Sequence, residues 1–146
     1  MVGGSCLCGG VAFEVDGPIF GMGNCHCADC RKAYGAAFGS VAVCSREDFS
    51  YRKGEELIAC YRQSARINRY FCKVCGSPLP LVEDWDTKVG IPGGILDDDP
   101  KVAPSQHIFV GDKASWWRIT DQCPQYDGYP PGGEPGQGDD GQPPKK

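Results

Sequence analysis

Residues 25–30 read Cys-His-Cys-Ala-Asp-Cys, so three thiols fall within six positions. Two further pairs stand at chelating separation, Cys6 with Cys8 and Cys72 with Cys75. Zinc favours tetrahedral sulfur ligation at about 2.3 Å, and two such pairs complete one shell. A glycine follows the second cysteine of each pair, Gly9 and Gly76. A tight turn around a metal often needs a positive φ there, which glycine adopts without steric cost. Such a site would close a loop of more than sixty residues. Metal binding can offset the entropy of ordering it. The plain alternative is four buried, reduced cysteines with no metal.

Cys25, Cys27 and Cys30 then remain as a separate triple. In an extended C-x-C the two thiols share a face, because side chains alternate. A helical turn over residues 28–34 brings Cys30 back towards them. His26 points the other way and is expected as a packed or solvated imidazole rather than a ligand. Three protein ligands with one open position is the pattern of catalytic zinc. Such a zinc polarises a carbonyl, or lowers the pKa of a bound water or thiol. Three thiolates weaken its acidity but suit an exchangeable sulfur ligand, so a substrate thiol is a natural fourth donor. The rival is internal closure by Cys44, Cys60, Cys123 or His107. Cys44 and Cys60 read as small buried hydrophobes, His107 as a core histidine, and Cys123 as a possible free thiol.

These thiols need a scaffold. The chain has 146 residues, 21 Gly and 12 Pro, which favours many short strands over a helical bundle. Ten cysteines with no secretory signal at the N-terminus point to a cytoplasmic chain and to metal rather than disulfides. A net charge of −4 and the lack of a basic stripe argue against nucleic acid. No run of about 18 apolar residues exists, so no membrane span is expected.

Strands are expected at residues 11–15, 37–43, 57–62, 66–71, 87–91, 106–110 and 114–119. Ser45 and Asp48 suit a short capped turn. Long helices are lacking, which disfavours a parallel sheet. One folded domain is expected over residues 3–127, followed by a Gly/Pro-rich disordered tail over 128–146.

The stretches SCLCGGVAFEV, NCHCADCRKAYGAAFGSVAV, RYFCKVCGSPL, GGILDDDP and HIFVGDKASWWRI follow one another in this order. In these the chain resembles the glutathione-dependent formaldehyde-activating enzyme family, which includes centromere protein V. The resemblance covers roughly residues 4–130. It implies a mainly β zinc fold, a β-tent with few short helical turns, shared with a Rab-binding chaperone and methionine-R-sulfoxide reductases. It implies two zinc ions per chain: a structural one on Cys6, Cys8, Cys72 and Cys75, and a catalytic one on Cys25, Cys27 and Cys30. The implied activity is carbon–sulfur lyase chemistry, the reversible joining of glutathione and formaldehyde as S-hydroxymethylglutathione.

Glutathione carries two carboxylates, for which Arg31, Lys32, Arg66 and Arg69 are nearby receivers; each is equally a solvated surface charge. Tyr34 could orient a hydroxyl. Asp97, Asp98 and Asp99 read as a polar turn. Of Trp116 and Trp117, one ring is expected in the core and the other at a pocket edge. The residues identify no acid or base and no oligomeric state. A non-catalytic zinc-stabilised binding module is the alternative. A redox enzyme using Cys123 is disfavoured, because Asp121 stands two residues away with no basic neighbour.

Overall fold

Alternation at residues 12–15 sets the facing of the first sheet: Phe13 and Val15 are buried, while Ala12 and Glu14 are half-buried. The protein is described by a computed structural model covering residues 1–131 except 66 and 85. The elements are β1 (Val2–Ser5), β2 (Ala12–Val15), β3 (Ile19–Cys25), α1 (Ala28–Tyr34), β4 (Gly39–Ser45), β5 (Phe49–Lys53), β6 (Ile58–Arg62), β7 (Asn68–Cys72), β8 (Lys88–Pro92) and β9 (Pro104–Ile108). They form three sheets, ordered β1-β2-β5, β8-β4-β3-β9 and β6-β7. The fold is mainly β.

The core lies where the two larger sheets meet. Phe13 stacks on Phe49 at 5.4 Å between ring centroids. Val11, Val15, Ala42, Cys44, Val89, Ile91 and Leu79 are buried in the same cluster. Each fully buried Val, Leu, Ile or Phe contributes roughly 1.5–3 kcal/mol.

α1 has the bounds expected from the sequence. Cys27 is its N-cap, with Sγ accepting the Cys30 N–H, and Gly35 closes it at φ 60°. A helix this short is marginal alone. Its caps and the packing of Cys27, Cys30 and Tyr34 with Phe109 hold it.

Other expectations need correction. β9 runs parallel to β3, pairing Asn24 with His107 and Cys25 with Ile108. The crossover from β8 needs no long helix: a 3-10 turn at Gly93–Ile95 and an irregular stretch carry the chain across. Residues 114–119 form no strand. The Trp117 N–H turns back to the Ala114 carbonyl at 3.1 Å. Lys113 Nζ donates to the Trp117 carbonyl at 2.7 Å, which holds the turn. Neither tryptophan is buried; Trp116 and Trp117 are 71% and 38% exposed. Cys44 is buried, but Cys60 is exposed, on a strand of the two-stranded sheet. Ser45 and Asp48 bound a simple turn, with the Asp48 N–H on the Ser45 carbonyl.

Residues 124–128 lie along the outer edge of β9. His107 N–H donates to Pro124 O at 2.8 Å, and Tyr126 N–H donates to His107 O at 2.9 Å. Tyr129 then packs edge-on against Phe109. Arg66 and residues 132–146, which include most of the expected tail, lie outside the described residues.

Candidate metal centre

Two turns bring the first four thiols together. Gly9 N–H bonds Cys6 O at 2.7 Å, and Gly76 N–H bonds Cys72 O at 2.8 Å. Gly9 and Gly76 have φ of 69° and 75°, the positive values expected after each pair. The Cys6 and Cys8 sulfurs are 3.5 Å apart, and those of Cys8 and Cys72 are 3.9 Å apart. All four sulfurs lie within 4.8 Å of one another. Zn–S bonds of about 2.3 Å give a tetrahedral S–S edge of about 3.8 Å, so the cluster fits a zinc ion. Hydrogen bonding with Ser77 holds the Cys75 thiol down to about 5.

Cys25 at the end of β3, Cys27 at the helix cap and Cys30 within α1 form the second group, also within 4.8 Å. Cys25 Sγ lies 3.4 Å from Cys27 Sγ. Hydrogen bonds from Cys25 and Cys30 push the Cys27 thiol far below the ordinary range. Cys25 moves strongly upward, because it faces Cys27 and Cys30. The group therefore carries one thiolate readily, and three only with a cation among them. That donor chemistry fits a metal. Among the described residues, none of Cys44, Cys60, Cys123 or His107 joins this group.

His26 turns away from the thiols, as alternation requires. Its buried ring meets His107, Nε2 to Nδ1 at 2.7 Å. Burial, then the proximity of His107, lowers its pKa to about 4, so it is neutral. His107 Nε2 lies 3.0 Å from Asp121 Oδ2. A carboxylate only accepts, so His107 donates from Nε2; as a neutral imidazole it then accepts at Nδ1 from His26 Nε2–H. This tautomer leaves His26 Nδ1 as a bare lone pair, matching its lack of a partner among the described residues. The His26–His107–Asp121 chain was not legible in the sequence, since its members are far apart along the chain.

Of the basic candidates, Arg31 donates from Nε to the His26 carbonyl at 3.3 Å. Lys32 and Arg69 instead line a pocket of about 500 Å³ beside the triad. Arg69 Nη2 is 3.9 Å from Cys30 Sγ, and its Nε donates to Gln63 Oε1 at 2.8 Å. Gln63 in turn donates to Asp29 Oδ2 at 2.9 Å. Tyr34 lines the same pocket. Its phenol is pushed up to about 12, by burial first and then by Cys30. Tyr61, Tyr70, Phe71, Leu79 and Leu81 complete most of the wall. The aromatic strand pattern before Cys72 was the available signal for Tyr61, Tyr70 and Phe71.

The remaining candidates stand elsewhere. Asp98 accepts the Gly3 N–H at 2.8 Å, and Asp99 pairs with Lys101 at 2.8 Å. Cys123 lies near His107 and Asp121. Its thiol is raised by its hydrogen bond with Asp121, the opposite of an activated nucleophile.

A family model described as glutathione-dependent formaldehyde-activating enzyme matches residues 1–112. The chain belongs to this family. A Halomonas elongata protein named as a candidate enzyme of that type is 28% identical over 142 residues, covering 89% of each chain. An Aspergillus flavus protein named likewise is 30% identical over 127 residues. That match takes in 85% of this chain but 58% of the longer fungal protein. A solved Rhodobacter sphaeroides structure superposes with a TM-score of 0.55 at 24% identity, covering 66% of this chain and 89% of that one. It is a likeness of fold.

Proposed function

We propose that the chain is a zinc-dependent carbon–sulfur lyase acting on a thiol–carbonyl adduct. Its leading substrate is S-hydroxymethylglutathione, formed from glutathione and formaldehyde, or a close relative. The observation that carries this reading is the thiol triad, joined by no fourth donor among the described residues and set beside a pocket. Cys6, Cys8, Cys72 and Cys75 would hold a structural zinc; Cys25, Cys27 and Cys30 would hold the catalytic one. When bound there, zinc supplies Lewis acidity and stabilises a thiolate. The family membership and the names of the relatives support this assignment.

In the forming direction a thiol S–H and a carbonyl C=O become an S–C bond and an O–H, with no net oxidation. The chain's own residues bind and orient. Tyr34 keeps its proton beside Cys30 and offers an O–H donor to the carbonyl oxygen. Arg69 offsets negative charge at Cys30, its guanidinium held in place by Gln63. Lys32 offers an ammonium to a glutathione carboxylate at the pocket rim. Arg31 braces the metal loop through the His26 carbonyl. The β-tent relationship to the Rab-binding chaperone and methionine-R-sulfoxide reductases belongs to this reading, as does a cytoplasmic location. No helix among the described residues is long and apolar enough to cross a membrane.

Zinc X-ray absorption with and without glutathione, alongside metal content, tests the reading. We expect two zinc ions per chain, one bearing a light ligand that sulfur replaces when glutathione is added. Two full sulfur shells indifferent to glutathione would transfer support to the binding-module reading. One observation favours that second reading: Leu7 and Val74, inside the two turns of the tetrad, are 87% and 65% exposed. A partner protein could cover them.

A further inference from the structure

The pocket beside the triad is larger than formaldehyde requires. At about 500 Å³ it falls among pockets that hold drug-sized ligands, roughly 300–1,000 Å³. Formaldehyde is one carbon and one oxygen, and would leave nearly all of that space to water. Tyr61, Tyr70, Phe71, Pro78, Leu79 and Leu81 give one side of the wall rings and aliphatic groups, while Asp29, Lys32, Gln63 and Arg69 make the rest of the lining polar. The end facing the thiols is fixed by Tyr34 and by the Asp29–Gln63–Arg69 chain, which reaches Cys30.

We propose that the carbonyl partner is an aldehyde bearing an aromatic or similarly bulky apolar group, and that this pocket holds that group. The proposal rests on the lyase reading above and names its substrate class. A thiol sulfur held at the triad bonds the carbonyl carbon. The substituent on that carbon begins one bond away, beside Cys30, and extends between the rings. The thiol's own body does not suit the same space. Glutathione carries two carboxylates and an ammonium, whose desolvation among aromatic and aliphatic walls is unfavourable. Lys32, exposed at the rim, is the better contact for that charged portion. The step balances as above: S–H and C=O become S–C and O–H, and cleavage reverses it with no oxidant or reductant.

The test uses the zinc-loaded, full-length protein. S-Benzylglutathione and S-methylglutathione are unreactive thioethers that differ in the group presented to the pocket. Calorimetry should show the benzyl compound binding at least about tenfold tighter, the scale of burying a ring in an apolar site. Tyr61 is 62% exposed, so truncating it spares the core. Tyr61→Ala should reduce the preference several-fold, and Tyr61→Phe should retain it. In parallel, NMR exchange should show a higher kcat/KM with phenylacetaldehyde and glutathione than with formaldehyde and glutathione. Equal binding of the two thioethers, or a preference unchanged by Tyr61→Ala, overturns the proposal. Formaldehyde turnover without any benzyl preference overturns it while sparing the lyase reading. Turnover of no adduct at all overturns both.

Discussion

Cys27 serves two structural ends with one sulfur. It accepts the Cys30 N–H that starts α1, and it lies 3.4 Å from Cys25 in the triad. Cys27→Ala should therefore remove zinc from the triad, abolish turnover and cost about 1 kcal/mol of stability through the lost cap. Metal analysis and thermal melting separate these effects: the tetrad's zinc should remain. Cys44 gives a pH prediction away from both clusters. Burial, with a smaller effect from Asp48, raises its pKa from 9.0 to about 11. The fold favours the neutral thiol, so this contribution is full below pH 9 and is lost as pH rises from 9 to about 11. Cys44→Ala should flatten that alkaline loss in denaturant titrations, although the smaller side chain lowers stability at neutral pH.

At the scale of elements, what could be read from sequence was local. Helix α1 was legible over residues 28–34 because it is a single local segment directly after the first thiols, although its Cys27 and Gly35 caps were not read. The paired thiols marked both turns of the tetrad, and Gly9 and Gly76 take the left-handed conformation that their positions required. A Cβ at Gly76 would meet nothing within 4 Å, so Gly76→Ala tests backbone strain alone. It should cost about 1–2 kcal/mol and speed zinc release from the tetrad, measured with a chromogenic chelator. The longer-range features were hidden. The parallel pairing of β3 with β9 depends on a crossover, and the His26–His107 pair depends on that pairing. Residues 114–119 carry strand-forming side chains, yet Lys113 gathers their carbonyls into a turn. The exposed Cys60 shows the same limit. Its strand pattern was legible, but not which face of the hairpin would be covered.

Across the whole molecule the two clusters hold different amounts of chain. The tetrad joins Cys8 to Cys72, 64 residues apart, whereas Cys25, Cys27 and Cys30 lie within six consecutive residues. Under the two-zinc reading, chelation should proceed in two phases. Triad zinc should leave first with the strand signal in circular dichroism preserved; tetrad zinc should leave later with loss of folding cooperativity. A single phase with simultaneous unfolding would contradict this separation of roles. The family match ends at residue 112, but the contacts do not. Residues 124–128 pair with β9, and Asp121 fastens the histidine pair that continues the metal loop. A chain cut at residue 112 would leave a bare strand edge, a template on which copies can stack. Such a shortened chain should aggregate, making the stretch beyond the family match a guard against self-association as well as a brace.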